Sequence, residues 1–340
     1  HAATIGQFEL ILAEQGSDAA WLDRHRPPPS LYFSGIIGLD AADPTIRQDI
    51  DAIIERERPG FGFGALAAGA DILIAEALHR IGAELHIILP YPVERFRELS
   101  VAPYGERWCS RFDALVEAAS SLDVLTEFPG EDERSLSLAV ELADLVAMGQ
   151  CIRNAAVLKS WPKALTITGR GDQPRRPYQI WSDTGHDQFT IAVARQKDHP
   201  SAAVSSKAES KEVAAILWVD HADRDMLSAL SDRGDAFRPA GDGHYRISTD
   251  ALDLLSTGRA LLQHDASVRT SLVIDIMDAD APGTALLEQA SDIARASSGG
   301  AVLTDCKSAM VILLQSHEQK VEEIGELQTA SGPLPLWSIA

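Results

Sequence analysis

The sequence has few cysteines and no long apolar run. Its three cysteines, Cys109, Cys151 and Cys306, are widely spaced and form no C-x-x-C pair. This pattern argues against a structural zinc site and is typical of a reducing compartment. No window of about 18 residues is both apolar and uncharged, so we expect no membrane-spanning segment. Because the start of the chain also lacks a secretory signal pattern, we expect a cytoplasmic protein.

Basic residues are also scarce. The 340 residues include 30 Lys and Arg against 50 Asp and Glu, which leaves a formal net charge of -20. So acidic a chain repels the phosphate backbone, and neither duplex nucleic acid nor an anionic membrane is expected as a partner. A small phosphorylated ligand is compatible with this charge, because a few backbone amides can hold one phosphate locally.

The length of the chain corresponds to about two domains of ~150 residues each. Residues 1–30 are expected to form an N-terminal extension that ends at Pro27–Pro29, where the prolines stop any helix. Strands and helices then alternate at short spacing over 31–195, which predicts a parallel sheet with right-handed crossovers. We expect a Rossmann-like α/β domain over these residues.

A polar, Ser/Ala-rich stretch without periodicity predicts a linker at 196–212. The block that follows, 213–340, begins with the buried-strand run Val213–Val219 and again alternates strands with helices. It is too short for a second complete doubly wound sheet. The expected fold class is therefore α/β, with a Rossmann-like parallel-sheet domain followed by a smaller, ferredoxin-like α+β domain.

Two glycine-rich turns are the first candidate for a binding site. Ser34, Gly35 and Gly38 end the first predicted strand, and a second run extends from Gly60 to Asp71 just before a helix. Ligands of open parallel sheets bind beyond the carboxyl ends of the strands, and glycines let backbone amides approach a phosphate. The alternative is that these glycines only permit tight turns and close helix packing. The spacing does not match the dinucleotide-binding fingerprint.

Together with Tyr32-Phe-Ser-Gly35, Glu76-Ala-Leu and Gly82 to Pro90, the run from Gly64 to Asp71 resembles the SLOG superfamily of Rossmann-like nucleotide-binding domains. That superfamily includes the DNA-processing protein A fold and the lonely-guy phosphoribohydrolases. The resemblance implies a nucleotide or nucleotide-derived ligand. The residues it places at the ligand are Ser34, Gly35, Gly38, Gly64, Gly69, Ala70 and Asp71.

Glu76 is the candidate catalytic residue for an alternative activity, cleavage of an N-glycosidic bond. By resemblance, its carboxylate would contact a ribose or act as a base; a carboxylate paired on the helix surface is the competing interpretation. The Pro-Gly-Gly-x-Gly-Thr-x-x-Glu signature of the lonely-guy enzymes is absent from the sequence. We therefore favour ligand binding over hydrolysis.

The loop from Gly169 to Pro177 is the compact basic cluster of the first domain. It contains Arg170, Arg175 and Arg176. Guanidinium groups bind phosphate through paired hydrogen bonds, so we take Arg170 as a candidate phosphate clamp. A solvated surface loop is the alternative.

The second domain contains two aspartates that are candidate metal ligands. Asp220 follows the strand Ile216–Val219, and a Gly-Asp pair occurs at Gly241 and Asp242. With the run Gly299–Thr304 and the closing segment Gly325–Ile339, this pattern resembles the adenylate/guanylate cyclase homology domain. The resemblance implies a ferredoxin-like fold and a possible Mg²⁺ ion held by Asp220 and Asp242.

Departures from the cyclase pattern predict a catalytically silent domain. The two aspartates are 22 residues apart, which is shorter than the usual interval of the family. The family's Asn-x-x-x-Arg falls at Glu288 and Asp292, so a transition-state cation is replaced by a carboxylate. Arg295 is the alternative source of that cation, and a weak nucleotidyl cyclase is the corresponding alternative activity.

The helix that contains Leu252, Leu255, Leu261 and Leu262 predicts either a homodimer contact of the second domain or ordinary core. Taken together, the patterns predict a bacterial signalling protein that senses a nucleotide or nucleotide-derived ligand. Its cyclase-like domain is predicted to be a pseudoenzyme that serves interaction or regulation.

Overall fold

A computed structural model describes residues 2–39, 44–126, 132–173, 175–194, 211–230, 236–278, 282–316, 318–329 and 332–339. The chain divides into two compact units. Unit 1 comprises residues 1–128 and 143–203, and unit 2 comprises residues 129–142 and 204–340. The predicted limits put residues 132–142 in the first domain, whereas the structure groups them with the second unit. The predicted linker lies outside the described residues, apart from Lys211 and Glu212, which begin a strand.

Unit 1 contains a six-stranded parallel sheet. Its strands are β1 (Ser30–Gly35), β2 (Phe61–Gly64), β3 (Glu84–Leu89), β4 (Ser121–Val124), β5 (Pro162–Gly169) and β6 (Asp187–Val193). They lie in the order β4-β3-β2-β1-β5-β6, and every neighbouring pair is parallel. The chain builds outward from β1 to β4 and then returns to place β5 on the other side of β1. The strand order therefore reverses between β1 and β5, which is the switch point of the sheet.

Helices connect these strands. They are α1 (Ala2–Glu14), α2 (Pro44–Glu57), α3 (Ala70–Arg80), α4 (Val93–Ser100), α5 (Glu106–Ala118), α6 (Glu133–Leu158) and α7 (Arg176–Asp183). The spacing of buried side chains explains their packing: Ile46, Ile50 and Ile54 follow one another at four-residue intervals on α2 and are all buried. Two short 3-10 helices, Ala20–His25 and Ala102–Tyr104, complete the unit.

Alternation along β1 separates an apolar face of the sheet from a polar one. Phe33 lies against Gly62 on one face, where Leu78 of α3 also packs. Tyr32 and Ser34 point to the other face, where the Tyr32 ring stacks on Trp181 of α7 at 5.8 Å between centroids. Tyr32 also donates a hydrogen bond to Asp144 of α6. Helices α6 and α7 therefore cover the polar face beside the switch point.

The 26-residue helix α6 is apolar and long enough to cross a membrane by length and composition alone. However, 72% of its most apolar window is buried inside the protein, as in the core helices of soluble proteins. The window contains charged residues, so it is not the apolar, uncharged run that the sequence was searched for. The first part of α6, up to Leu142, belongs to unit 2, and the remainder belongs to unit 1.

Unit 2 contains a seven-stranded mixed sheet. It begins with β7 (Lys211–Asp220), α8 (Arg224–Leu230), β8 (Arg238–Ala240), β9 (Gly243–Ser248), α9 (Ala251–His264) and β10 (Arg269–Asp278). These four strands lie in the order β10-β7-β9-β8. The β-α-β-β-α-β sequence with this order is the ferredoxin-like arrangement. The predicted fold class, a parallel-sheet α/β domain followed by a ferredoxin-like domain, is confirmed.

The rest of unit 2 extends the sheet beyond β10. It comprises α10 (Thr284–Arg295), β11 (Val302–Asp305), α11 (Cys306–Gln315), β12 (Val321–Thr329) and β13 (Gly332–Ile339). The closing hairpin that the sequence predicted is formed by β12 and β13. Of the four leucines considered for a dimer contact, Leu255 and Leu261 are buried in the unit, while Leu252 and Leu262 are half-buried. A homodimer through this domain stays a prediction.

Candidate functional site

The two glycine turns of unit 1 lie next to each other. An isolated β-bridge joins Ile37 to Gly69. The Gly38 amide donates to the Ala68 carbonyl at 2.8 Å, and the Ala70 amide donates to the Ile36 carbonyl at 3.2 Å. The two bends are therefore hydrogen-bonded to each other at the carboxyl ends of β1 and β2, where ligands of such sheets bind.

The Asp71 carboxyl connects the same two bends. Its Oδ1 accepts a hydrogen bond from the Gly35 amide at 2.8 Å, and its Oδ2 accepts one from the Ala67 amide at 3.1 Å. Burial, with a further contribution from the nearby Asp144 charge, raises the pKa of Asp71 to about 8. Amides of the bends thus converge on an acidic group as the sequence suggested, but this group belongs to the protein itself.

Two of the predicted ligand glycines are required by packing. A Cβ on Gly64 would overlap the Phe33 carbonyl oxygen and ring. Gly69 has φ +123°, and a Cβ there would lie 2.9 Å from both the Gly38 nitrogen and the Ile36 oxygen. Both positions therefore exclude side chains whether or not a ligand binds, which supports the packing interpretation of these glycines.

A chain of polar contacts lies at the switch point between β1 and β5. Ser34 Oγ is 3.2 Å from the Tyr178 hydroxyl, which accepts a hydrogen bond from Arg175 Nη1 at 3.4 Å. Arg175 Nη2 lies 2.7 Å from Asp144 Oδ2, and the Tyr32 hydroxyl donates to Asp144 Oδ1 at 2.8 Å. We call these five residues, Tyr32, Ser34, Asp144, Arg175 and Tyr178, the switch-point cluster.

Four members of the switch-point cluster are buried, and Arg175 reaches the surface with 39% of its side chain exposed. The neighbouring Asp144 carboxylate raises the pKa of Arg175. Burial raises the pKa values of the Tyr32 and Tyr178 phenols, so both are neutral at physiological pH. The cluster therefore presents one accessible cation, Arg175, to an approaching ligand. The inner side of this side chain contacts the Tyr178 hydroxyl and the Asp144 carboxylate.

Arg170 does not contact this cluster. Its backbone amide donates to the Val193 carbonyl at 2.8 Å, and its Nε donates to the Ala192 carbonyl at 3.4 Å, which directs the side chain along β6. Arg175, from the same basic loop, contacts the cluster instead. The sequence analysis noted Arg175 only as part of that loop, and its position directly before the Arg-Pro start of α7 was the available signal.

Glu76 is held in an ion pair on the helical side of the sheet. Its two carboxylate oxygens lie 2.5 and 2.7 Å from Nε and Nη2 of Arg111 on α5, and Arg47 of α2 lies 3.6 Å away. The paired-carboxylate interpretation describes this environment. Both oxygens of this carboxylate are therefore engaged by Arg111, and neither is left free for a ribose in this arrangement.

The two candidate metal ligands of unit 2 have other partners. Asp220, at the end of β7, is buried and accepts a hydrogen bond from the His221 amide at 2.9 Å. Asp242, in the turn between β8 and β9, has both oxygens within 3.0 Å of Arg295 Nη2. A hydrogen bond from its own backbone, followed by the Arg295 charge, lowers the pKa of Asp242.

A Mg²⁺ ion held by Asp220 and Asp242 stays a prediction. Within the described part of the chain, no three His, Cys, Asp or Glu side chains gather in a way that would hold a metal ion. Arg295 supplies the positive charge next to Asp242 where a metal would supply it. The same guanidinium lies 3.6 Å from Asp292, so the candidate substitute for the missing cyclase arginine is held between two carboxylates.

Neither a protein-family model nor a curated protein matches the chain. Several solved structures match 38% of it. An adenylyl cyclase CyaB from P. aeruginosa is 14% identical over 94% of its own chain with a TM-score of 0.32. An adenylate/guanylate cyclase/hydrolase from Silicibacter pomeroyi is 14% identical over 97% with a TM-score of 0.33. The catalytic core of a rhodopsin-guanylyl cyclase is 9% identical over 97% with a TM-score of 0.31.

The solved structures that resemble part of this chain are therefore cyclase domains, at low identity and low TM-score. We draw nothing about activity or ligands from a likeness of this size.

Proposed function

We propose that unit 1 binds a nucleotide or nucleotide-derived ligand at the switch-point cluster and acts as the sensing part of a signalling protein. The observation that carries the proposal is the position of Arg175. It is the partly exposed cation of the cluster, and it lies at the β1/β5 switch point, the place where open α/β sheets bind their ligands.

The chemistry of the cluster favours a phosphorylated ligand. A guanidinium binds phosphate oxygens in a planar, paired geometry and keeps its charge at every physiological pH. The hydroxyl groups of Ser34 and Tyr178 are buried, and they contact each other and the inner side of Arg175, so we assign them to holding the guanidinium in place. Amides of the glycine bends already donate to acceptors within the protein, so we assign recognition of the phosphate to Arg175 rather than to the bends.

Replacing Arg175 by alanine is expected to weaken nucleotide binding at least tenfold, because a charge-assisted hydrogen bond contributes about 1.5–3 kcal/mol. Isothermal titration calorimetry with AMP, ATP and ADP-ribose measures the effect in the 340-residue chain. Arg176→Ala is the matched control, since this neighbouring arginine is exposed. Absence of heat with every nucleotide, or an equal loss in both variants, would refute the proposal.

Unit 2 is proposed to be catalytically silent. Glu288 and Asp292 on α10 stand where the cyclase resemblance expects an amide and a cation, and Arg295 is engaged by Asp242. A carboxylate in place of the cation repels the triphosphate and removes stabilisation of the transition state. We expect no cyclic nucleotide when the protein is incubated with ATP or GTP and Mn²⁺. Chromatographic detection of cyclic AMP or cyclic GMP above a no-enzyme blank contradicts this expectation.

Cleavage of an N-glycosidic bond is not carried forward as a second function. Its candidate base, Glu76, is engaged by Arg111 through both carboxylate oxygens and also lies 3.6 Å from Arg47. The assignment of unit 1 to the SLOG superfamily stays a prediction.

A further inference from the structure

Asp144 forms an ion pair with Arg175, the residue whose guanidinium is proposed to bind the ligand. Its Oδ2 lies 2.7 Å from Arg175 Nη2, and the carboxylate is buried on α6 while Arg175 is partly exposed. An anion that approaches from solvent therefore meets a cation whose charge is already compensated from the inside. The question is whether this internal pairing only holds the fold together or also sets the affinity of the site.

The geometry of the contact makes it replaceable. Although the two atoms are close, Asp144 Oδ2 receives no hydrogen bond of good angle from any described residue. A phosphate oxygen on the outer side of Arg175 can form the paired, directed hydrogen bonds with the guanidinium that Asp144 Oδ2 does not form. The other oxygen, Oδ1, is fixed by the Tyr32 hydroxyl at 2.8 Å, so Asp144 keeps one partner when Arg175 turns away.

We infer that Asp144 is an internal competitor for Arg175, and that Tyr32 adjusts its strength. This inference rests on the proposed function for its nucleotide ligand, but the competition itself concerns any phosphate-type anion. Binding of the anion exchanges the Asp144–Arg175 ion pair for an anion–Arg175 ion pair, with no change in covalent structure. Asp144 then sets the affinity of the site without contacting the ligand.

Substitution of Tyr32 distinguishes competition from a purely structural role of Asp144, because only competition predicts a change in anion affinity. Its side chain is fully buried, so it cannot contact a ligand. Its hydroxyl donates to Asp144 and disperses the carboxylate charge. Tyr32→Phe removes that donor at nearly constant shape, so Asp144 holds Arg175 more firmly and anions bind more weakly. Asp144→Asn has the opposite effect, because the neutral amide no longer attracts the guanidinium.

Pyrophosphate is the probe for the experiment, titrated into the 340-residue chain by calorimetry at low salt. If Asp144 engages Arg175 in nine of ten molecules, its removal raises the apparent affinity about tenfold. We therefore expect Asp144→Asn to bind about tenfold more tightly than the unsubstituted protein, and Tyr32→Phe to bind about threefold more weakly. The double variant Asp144→Asn with Arg175→Ala is expected to lose the gain.

Each outcome decides one claim. Unchanged or weaker pyrophosphate binding by Asp144→Asn overturns the internal-competitor inference and leaves Asp144 a structural residue. If Asp144→Asn does not fold, Tyr32→Phe decides alone, and unchanged affinity in it overturns the inference. If the pyrophosphate affinities follow the expected order but no nucleotide binds, the competition is supported and the proposed nucleotide function is refuted. If nucleotides bind but the pyrophosphate affinities do not follow that order, the nucleotide function is supported and the competition is refuted.

Discussion

Substitution of Gly69 by alanine is expected to lower the free energy of unfolding of unit 1 by about 2–6 kcal/mol. Two costs contribute. The φ of +123° is a conformation that side chains rarely adopt, which costs about 1–3 kcal/mol. A Cβ would also lie 2.9 Å from backbone atoms of Gly38 and Ile36, and overpacking of this kind costs about 1–3 kcal/mol. Backbone atoms of a hydrogen-bonded bend cannot move aside as a flexible side chain can.

Gly82→Ala separates these two costs. Gly82 also has a positive φ, +80°, but a Cβ there would meet no atom within 4 Å. We expect this control to cost about 1–2 kcal/mol, the penalty for the backbone conformation alone. Denaturant titration, with unit 1 followed by hydrogen exchange of the β1 amides, measures both variants. Equal losses at the two glycines would show that the close approach of the bends is not what requires glycine at position 69.

Asp71→Ala is expected to destabilise unit 1 by about 2–5 kcal/mol. The substitution leaves the Gly35 and Ala67 amides without their acceptor, and an unpaired buried donor costs about 1–3 kcal/mol. Asp71→Asn retains one amide oxygen for two donors, so its loss should be intermediate. Asp49→Ala, at an exposed aspartate of α2, is the control and is expected to stay within about 0.5 kcal/mol. A loss for Asp71→Ala as small as the control's would contradict the connecting role of this carboxyl.

The pH dependence of the same variants gives a second measurement. The pKa of Asp71 is raised to about 8 in the folded protein, so the native state keeps a proton that the unfolded chain releases near pH 4. The resulting stability is complete below the unfolded pKa and is lost as pH rises through the folded pKa. The unsubstituted protein should therefore lose stability between about pH 4 and 8, and Asp71→Asn should lose less over the same interval. Parallel pH profiles would show that Asp71 does not titrate in this window.

The sequence was sufficient to predict most of the fold, because apolar periodicity reports the local conformation of long, half-buried elements. It was insufficient for short elements. The strand β2 reads Phe-Gly-Phe-Gly, and its glycines suggested a turn, whereas Gly62 and Gly64 make room for the Leu78 and Phe33 side chains. The helices α4 and α7 have only eight residues each, too few for periodicity to be recognised.

At the candidate site, local sequence patterns predicted single residues but not the contacts between residues that are distant in the sequence. Ser34 was predicted because it ends a strand, which is a local property. Its contact with Tyr178 spans 144 positions, and the contact between Tyr32 and Asp144 spans 112. Neither pair has a local signature, since only the return of β5 beside β1 brings the partners together. Asp71 lies at the bends and accepts hydrogen bonds from their amides. A sequence alone does not say whether such amides face a ligand or a side chain of the protein.

The helix α6 is shared by the two units, which restricts where the chain can be divided into separately expressed fragments. An expression plasmid that starts at the predicted linker encodes β7 without residues 129–142, although those residues belong to unit 2. Lys211 Nζ then loses its 3.0 Å hydrogen bond to Ser135 and its ion pair with Asp132 at 3.7 Å. We therefore expect a fragment of the carboxyl-terminal half to be more stable when the amino-terminal turns of α6 are supplied with it, as a fused segment or a separate peptide.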